Sequence, residues 1–138
     1  MSESKYGKYF TKDVVRDGEI APFLPRIKFN SKKNFGYGNF GIRLSYVTEP
    51  FEIPEEPHAH DFEQYLCFVG TGDNYREFDA EVELFLGEEN EKHIITETTV
   101  VHIPKGMIHC PLRFTKVNKP VTFINAVLTD RYSQVIEE

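Results

Sequence analysis

Tryptophan is absent from this chain, and cysteine and methionine occur twice each. The two cysteines, Cys67 and Cys110, are too few for a disulfide framework, so the core has to hold the fold. They read as buried thiols of a reducing compartment. No stretch approaches the roughly 18 consecutive apolar residues that a spanning helix needs, which excludes a helical membrane protein. The opening residues Met-Ser-Glu-Ser-Lys-Tyr carry no apolar signal region, so the sequence reads as cytoplasmic. There are no internal repeats and no low-complexity segments.

Positive charge is scarce in most of the chain. Residues 1–33 hold eight Lys/Arg against four Asp/Glu, whereas residues 34–138 hold eight against eighteen. The formal net charge is −6. A body this acidic repels phosphates, which excludes nucleic acid as a partner. The basic N-terminal segment can lie against its own acidic body or that of a neighbouring subunit, or stay solvated.

What remains is ordinary for one soluble domain. The 138 residues are 40% hydrophobic and 28% charged, enough to bury a core without covalent staples. Twelve Phe and seven Tyr favour strands over helices. Pro22 and Pro25 limit Phe23–Phe29 to an edge strand. The glycines of Phe35-Gly36-Tyr37-Gly38-Asn39-Phe40-Gly41 lack a following helix pattern, so they mark bends and not a phosphate loop. Strands are expected over 41–48, 60–69, 80–86, 91–96, 98–103, 109–117 and 121–128, with a proline-rich loop from Pro50 to Pro57. Gly87–Asn90 reads as a turn, and Pro104 with Gly106 as a type I turn. Short strands with turn signals every eight to twelve residues predict an all-β sandwich or barrel. The expected organisation is an N-terminal arm and edge strand over 1–35, a barrel over 36–130 and a C-terminal tail over 131–138 that hints at a short helix.

Two histidine motifs carry the chemistry. The first is His58-Ala59-His60 followed by Gln64; the second is Pro104-Lys105-Gly106-Met107-Ile108-His109. Side chains alternate along a strand, so His58, His60 and Gln64 share one face with Phe62 and Leu66. Imidazoles and an amide among large apolar residues suit the interior of a small barrel holding one ligand. Three imidazoles and one amide oxygen form a set for a divalent transition metal such as Fe, Ni, Mn, Zn or Cu, with positions left open. By the same parity Arg113 shares the face of His109. It is then either a clamp for a substrate carboxylate or one half of an ion pair with a barrel acid. Glu63 faces away from Gln64, but a bulge at the strand start would make it the alternative metal ligand. Tyr46 and Asn125 are candidate barrel-lining residues of ambiguous parity. His93 and His102 fall outside the motifs.

The paired motifs resemble those of the cupin superfamily, Gly-x5-His-x-His-x3or4-Glu-x6-Gly and Gly-x5-Pro-x-Gly-x2-His-x3-Asn. His58, His60, Pro104, Gly106 and His109 match, and the resemblance covers roughly residues 40–128. It implies a double-stranded β-helix, the jelly-roll barrel, with one bound metal. The chain departs from the pattern at five positions. Gln64 stands at the acidic ligand position, Glu52 and Thr98 replace the leading glycines, Arg113 replaces the closing Asn, and Gly70 falls one residue early.

With neutral Gln64 and three neutral histidines, a divalent ion keeps about two positive charges instead of about one, which favours an anionic ligand. The expected function is therefore a metal-dependent cupin acting on a small anionic metabolite by isomerisation, decarboxylation, lyase chemistry or dioxygenation. The alternative is a non-catalytic module that binds or senses a small acid. A structural cupin with relic motifs is disfavoured by the intact histidines. Exposed aromatic strands and the oppositely charged arm point to a homodimer.

Overall fold

The computed structural model describes residues 4–16, 26–53 and 55–130. The C-terminal tail with its expected helix, and the start of the strand expected at Phe23, lie outside these residues.

Among the described residues, ten strands form two antiparallel sheets. Strands β1 (Val15–Arg16), β2 (Arg26–Asn30), β3 (Gly41–Val47), β5 (Gln64–Gly70), β8 (Thr99–Ile103) and β10 (Val121–Val127) make the six-stranded sheet, in the order β1-β2-β3-β10-β5-β8. Strands β4 (Phe51–Ile53), β6 (Ala80–Leu86), β7 (Glu91–Ile95) and β9 (His109–Val117) make the other, in the order β4-β9-β6-β7. The N-terminal edge strand extends the larger sheet, with Ile27 opposite Leu44 and Asn30 opposite Gly41.

Alternation fixes which face of each strand is buried. Gln64, Leu66 and Phe68 of β5 point inward while Tyr65, Cys67 and Val69 are half-buried. Ala80, Val82 and Leu84 do the same from β6. The two inner faces meet in one core built around Phe68, Phe114 and Phe123, whose ring centroids lie 5.1–6.1 Å apart. Such spacings are those of favourable aromatic pairs.

Three local features differ from the sequence expectations. A short helix, α1 (Ser31–Phe35), follows β2; Asn30 caps it by accepting from Lys33 N, and Gly36 ends it at φ +90°. Strand β5 begins at Gln64 and not at His60, because Asp61 and Phe62 bend the chain. The turn before β9 closes from Met107 N to Pro104 O at 3.1 Å, placing Gly106 third at φ +86°. That positive φ belongs to a type II turn and not the expected type I, and it is why glycine stands there.

Candidate metal centre

Backbone bonds bring the two histidine motifs together at one end of the sandwich. His58 and His109 pair through both N–H groups, at 3.1 and 2.9 Å. Gly106 N donates to His60 O at 2.8 Å, so the turn of the second motif is tied to the first. The three rings converge, with centroids 4.9 Å (His58–His60), 4.5 Å (His58–His109) and 5.0 Å (His60–His109) apart. All three residues are buried, and their ligand-capable atoms lie within 4.8 Å of one another.

The ring orientations are set by carbonyl groups. His58 Nδ1 lies 2.7 Å from Glu56 O, and His109 Nδ1 lies 3.2 Å from Met107 O. A carbonyl only accepts, so each Nδ1 carries the hydrogen and each Nε2 keeps its lone pair for a ligand. Phe62 stacks on His60 at 4.7 Å and 17°. Burial pulls the His109 pKa down to about 4, aided by the neighbouring His58 and His60; the Met107 carbonyl opposes the shift. His109 is thus neutral near pH 7, the form that binds metals.

Gln64 is 1% exposed. Its Nε2 donates to Asn125 Oδ1 at 2.8 Å, which aims the amide. The opposite atom, Oε1, is buried without a hydrogen-bond partner, as is His58 Nε2. Buried polar atoms are rarely left this way, and such an atom calls for a water, an ion or a ligand. Three imidazoles with a neutral amide oxygen fit a divalent transition metal, and the two orphaned acceptors fit it better than they fit an apolar end of the core.

Several sequence-predicted residues lie elsewhere. Arg113 does not point toward the histidines. It stands opposite Glu52 and Glu83 on the outer face, 3.2 Å from Glu52 Oε2 and 3.6 Å from Glu83 Oε1, and packs over the Phe85 ring. The reason is an extra residue in β9: Leu84 pairs with Leu112 and Leu86 with His109, two steps along β6 against three along β9. Cys110 at φ +88°, within the cis Cys110–Pro111 step, lies in this bulge. Parity inverts across it, so Leu112 and Phe114 share the inward direction of His109 and Arg113 turns out.

Glu63, the alternative ligand, also turns away. It pairs with His102 and accepts from Lys105 N at 3.0 Å. The Lys105 bond, followed by that of His102, lowers its pKa. Leu66 is buried, as expected, but belongs to the apolar core beside the site. Tyr46 is half-exposed on the outer face.

Asn125, expected only as a barrel-lining candidate, joins the site, and Arg43 and Glu55 near it were not anticipated. Asn125 aims Gln64, and its shared parity with buried Phe123 and Val127 was the signal. Arg43 stands opposite both Asn125 and Lys28, so all three share one face. This face borders a cavity of about 470 Å³ whose lining includes Lys28, Lys32, Lys33, Arg43 and Asn125, with Asp130. Glu55, in the loop before the first motif, places Oε1 3.6 Å from His58 Nε2. Buried Cys110 adjoins this pair; burial and the Glu55 charge push its thiol up to about 12.

No protein-family model matches the chain, and no curated protein matches it in sequence. Solved structures do match in fold. The polyketide cyclase RemF from Streptomyces resistomycificus is 16% identical over 95% of this chain and 80% of its own, with a TM-score of 0.56. An oxalate oxidase in complex with the substrate analogue glycolate is 12% identical over 98% of this chain and 66% of its own, TM-score 0.63. The Bacillus subtilis oxalate decarboxylase, described for its Mn(II) centres, is 11% identical over 79% of this chain, TM-score 0.52. The chain spans 26% of that decarboxylase. At such identities the likeness speaks for architecture alone. Together with the two histidine motifs it establishes that the chain has the cupin fold.

Proposed function

We propose that the protein binds one divalent transition metal through His58, His60, His109 and Gln64 and acts on a small anionic metabolite. One observation carries the reading: three buried imidazoles converge, and the Gln64 amide oxygen at the motif's fourth position is buried without a hydrogen-bond partner. The ion would polarise a ligand oxygen or stabilise an enolate, the chemistry shared by isomerases, decarboxylases, lyases and dioxygenases. The protein's own part is to hold the donors. The Glu56 and Met107 carbonyls fix two rings, Asn125 aims Gln64, and Phe62 shields His60.

An anionic ligand is supported by charge. Lys28, Lys32, Lys33 and Arg43 gather at one cavity in a chain of net charge −6, and Asn125 links that cavity to Gln64. Small acids are also named for two fold neighbours, oxalate oxidase and oxalate decarboxylase. Purified protein should carry close to one metal per chain, and His60→Ala or His109→Ala should strip most of it, as read by elemental analysis. Wild-type protein that takes up no metal after reconstitution refutes the reading. Turnover of keto acids and sugar acids then separates an enzyme from a binding module.

We infer a homodimer, a reading that the outer face of the larger sheet supports. Ile27, Leu44, Ile124, Cys67 and Val100 form one cross-strand row over five strands, with Val100 64% exposed. A flat apolar row suits a second copy of itself about a two-fold axis. Light scattering should give twice the chain mass for wild type and a monomer for Val100→Glu; a monomeric wild type would refute it.

A further inference from the structure

The metal-ligand set inferred from the motifs is short of one negative charge. Gln64 occupies the acidic position and is held as an amide by its bond to Asn125. Glu63, the adjacent acid, is committed to His102 and Lys105 on the other side of the chain. Among the described residues a carboxylate does approach His58, and it comes from outside both motifs. Glu55 Oε1 lies 3.6 Å from His58 Nε2. That is beyond hydrogen-bonding distance, so Nε2 remains buried without a hydrogen-bond partner. Donor atoms of Glu55, His58 and Cys110 lie within 4.8 Å of one another, the same span as the three imidazoles. The two donor groups share His58, which joins them.

We propose that Glu55 is the anionic ligand of this centre, supplying from the preceding loop the carboxylate that Gln64 does not. The proposal rests on the metal-centre reading above. His58 Nδ1 is taken by the Glu56 carbonyl, so Nε2 is the nitrogen left for a ligand, and it is the one that Glu55 approaches. Glu55 is 40% exposed at its side chain, which places it at the rim, between buried donors and water. A partly solvated acid is less costly to keep ionised than one buried in Gln64's position. With Glu55 bound, the net charge of a divalent centre falls from about two to about one. The main chain is arranged for this: Glu55 N donates to Ile53 O at 2.8 Å, anchoring the loop directly after β4.

The test is titration of metal-stripped protein with Co(II), reading affinity and the visible absorption bands of the bound ion. Glu55→Gln keeps the size and the anchored backbone of the loop. It should weaken Co(II) roughly tenfold or more and shift the bands, since loss of even an outer partner commonly costs that much. Glu56→Gln should match wild type, because Glu56 contributes only its carbonyl. Cys110→Ala should also match. Gln64→Glu should restore affinity in the Glu55→Gln background while adding less to wild type, because both substitutions act on one charge requirement. Unchanged affinity and bands in Glu55→Gln would overturn the proposal, as would a loss confined to Cys110→Ala, or purely additive effects of the two Glu/Gln exchanges. Wild-type protein that binds no Co(II) is a separate result, and it removes the metal centre itself.

Discussion

Acidification of the metal-free protein should unmask the cost of charging His109. The residue is 3% exposed, and its pKa lies near 4 against an ordinary 6.5. Desolvation is the largest cause, followed on the same side by repulsion from His58 and His60, while the Met107 carbonyl works against it. The folded state therefore binds this proton less readily than the unfolded state. Above pH 6.5 neither form is protonated and the full stability is present. Between 6.5 and about 4 the unfolded chain takes up the proton and the folded one does not, so stability falls with pH. Below about 4 both are protonated and no further loss comes from this group. At about 1.4 kcal/mol per unit, the window is worth roughly 3 kcal/mol. A domain of this size has a total stability of about 5–15 kcal/mol, so the loss is readable. The assay is urea unfolding at intervals from pH 7 to 4, for wild type and His109→Gln, both stripped of metal. Other carboxyl groups titrate in both proteins and cancel in the difference. The stability gap between the two should change by about 3 kcal/mol in disfavour of wild type as pH falls. A gap that stays constant over this range would show that burial does not hold His109 neutral.

Gln64→Glu should keep the fold and the metal, because the Asn125 amide can rotate to present its N–H₂ to a carboxylate; calorimetry should show weaker binding of small anions, and loss of metal would contradict the assigned role of Gln64. Arg113→Met should leave metal content and anion affinity unchanged and shift stability by about 1 kcal/mol or less, since its closer pair, with Glu52, is half-exposed and Glu83 stands off at 3.6 Å; metal loss would return Arg113 to the site. Arg43→Met should weaken anion binding at constant metal content, and equal affinities would remove the basic cavity from the ligand site. Phe68→Ala removes a fully buried ring from the aromatic trio and should cost about 3–5 kcal/mol in denaturant unfolding; a cost under about 1 kcal/mol would mean the core is not packed around it.

Strand positions were legible because alternation of buried and exposed residues is a local signal. Ala80–Leu86 and Val121–Val127 carry it within their own seven residues, and the observed strands match. The histidine pairing was legible for a different reason. Pro104 and Gly106 demand a tight turn, and the turn delivers both His109 and the N–H that holds His60. The helix at Ser31 was missed although its punctuation was present: Asn30 caps it and Gly36 ends it, with five residues between them. Five residues are too few to show a helical period, so only the caps could have announced it. Glu55 was missed because its place is set by a loop, where no parity rule operates.

The misplacement of Arg113 has the most to say about how this fold works. A regular β9 would send His109, Pro111 and Arg113 one way and Leu112 and Phe114 the other. The strand has two duties that such a register cannot serve together. Its first residue must face the donor end, where His109 pairs with His58. Its middle must fill the core, where Leu112 and Phe114 are 2% and 1% exposed. These positions differ by an odd number, so one extra residue has to be absorbed between them. Phe85 of β6 is where the count is made up, opposite the Cys110–Pro111 step. The same inversion carries Arg113 to the outer face, and the neighbouring strands meet it there with Glu52 and Glu83. An arginine at that position in the family's motif therefore reports on the outer surface. The cations of the inner face come from the other sheet, where Arg43 stands opposite Asn125, whose amide aims Gln64, and Lys28 stands opposite Arg43.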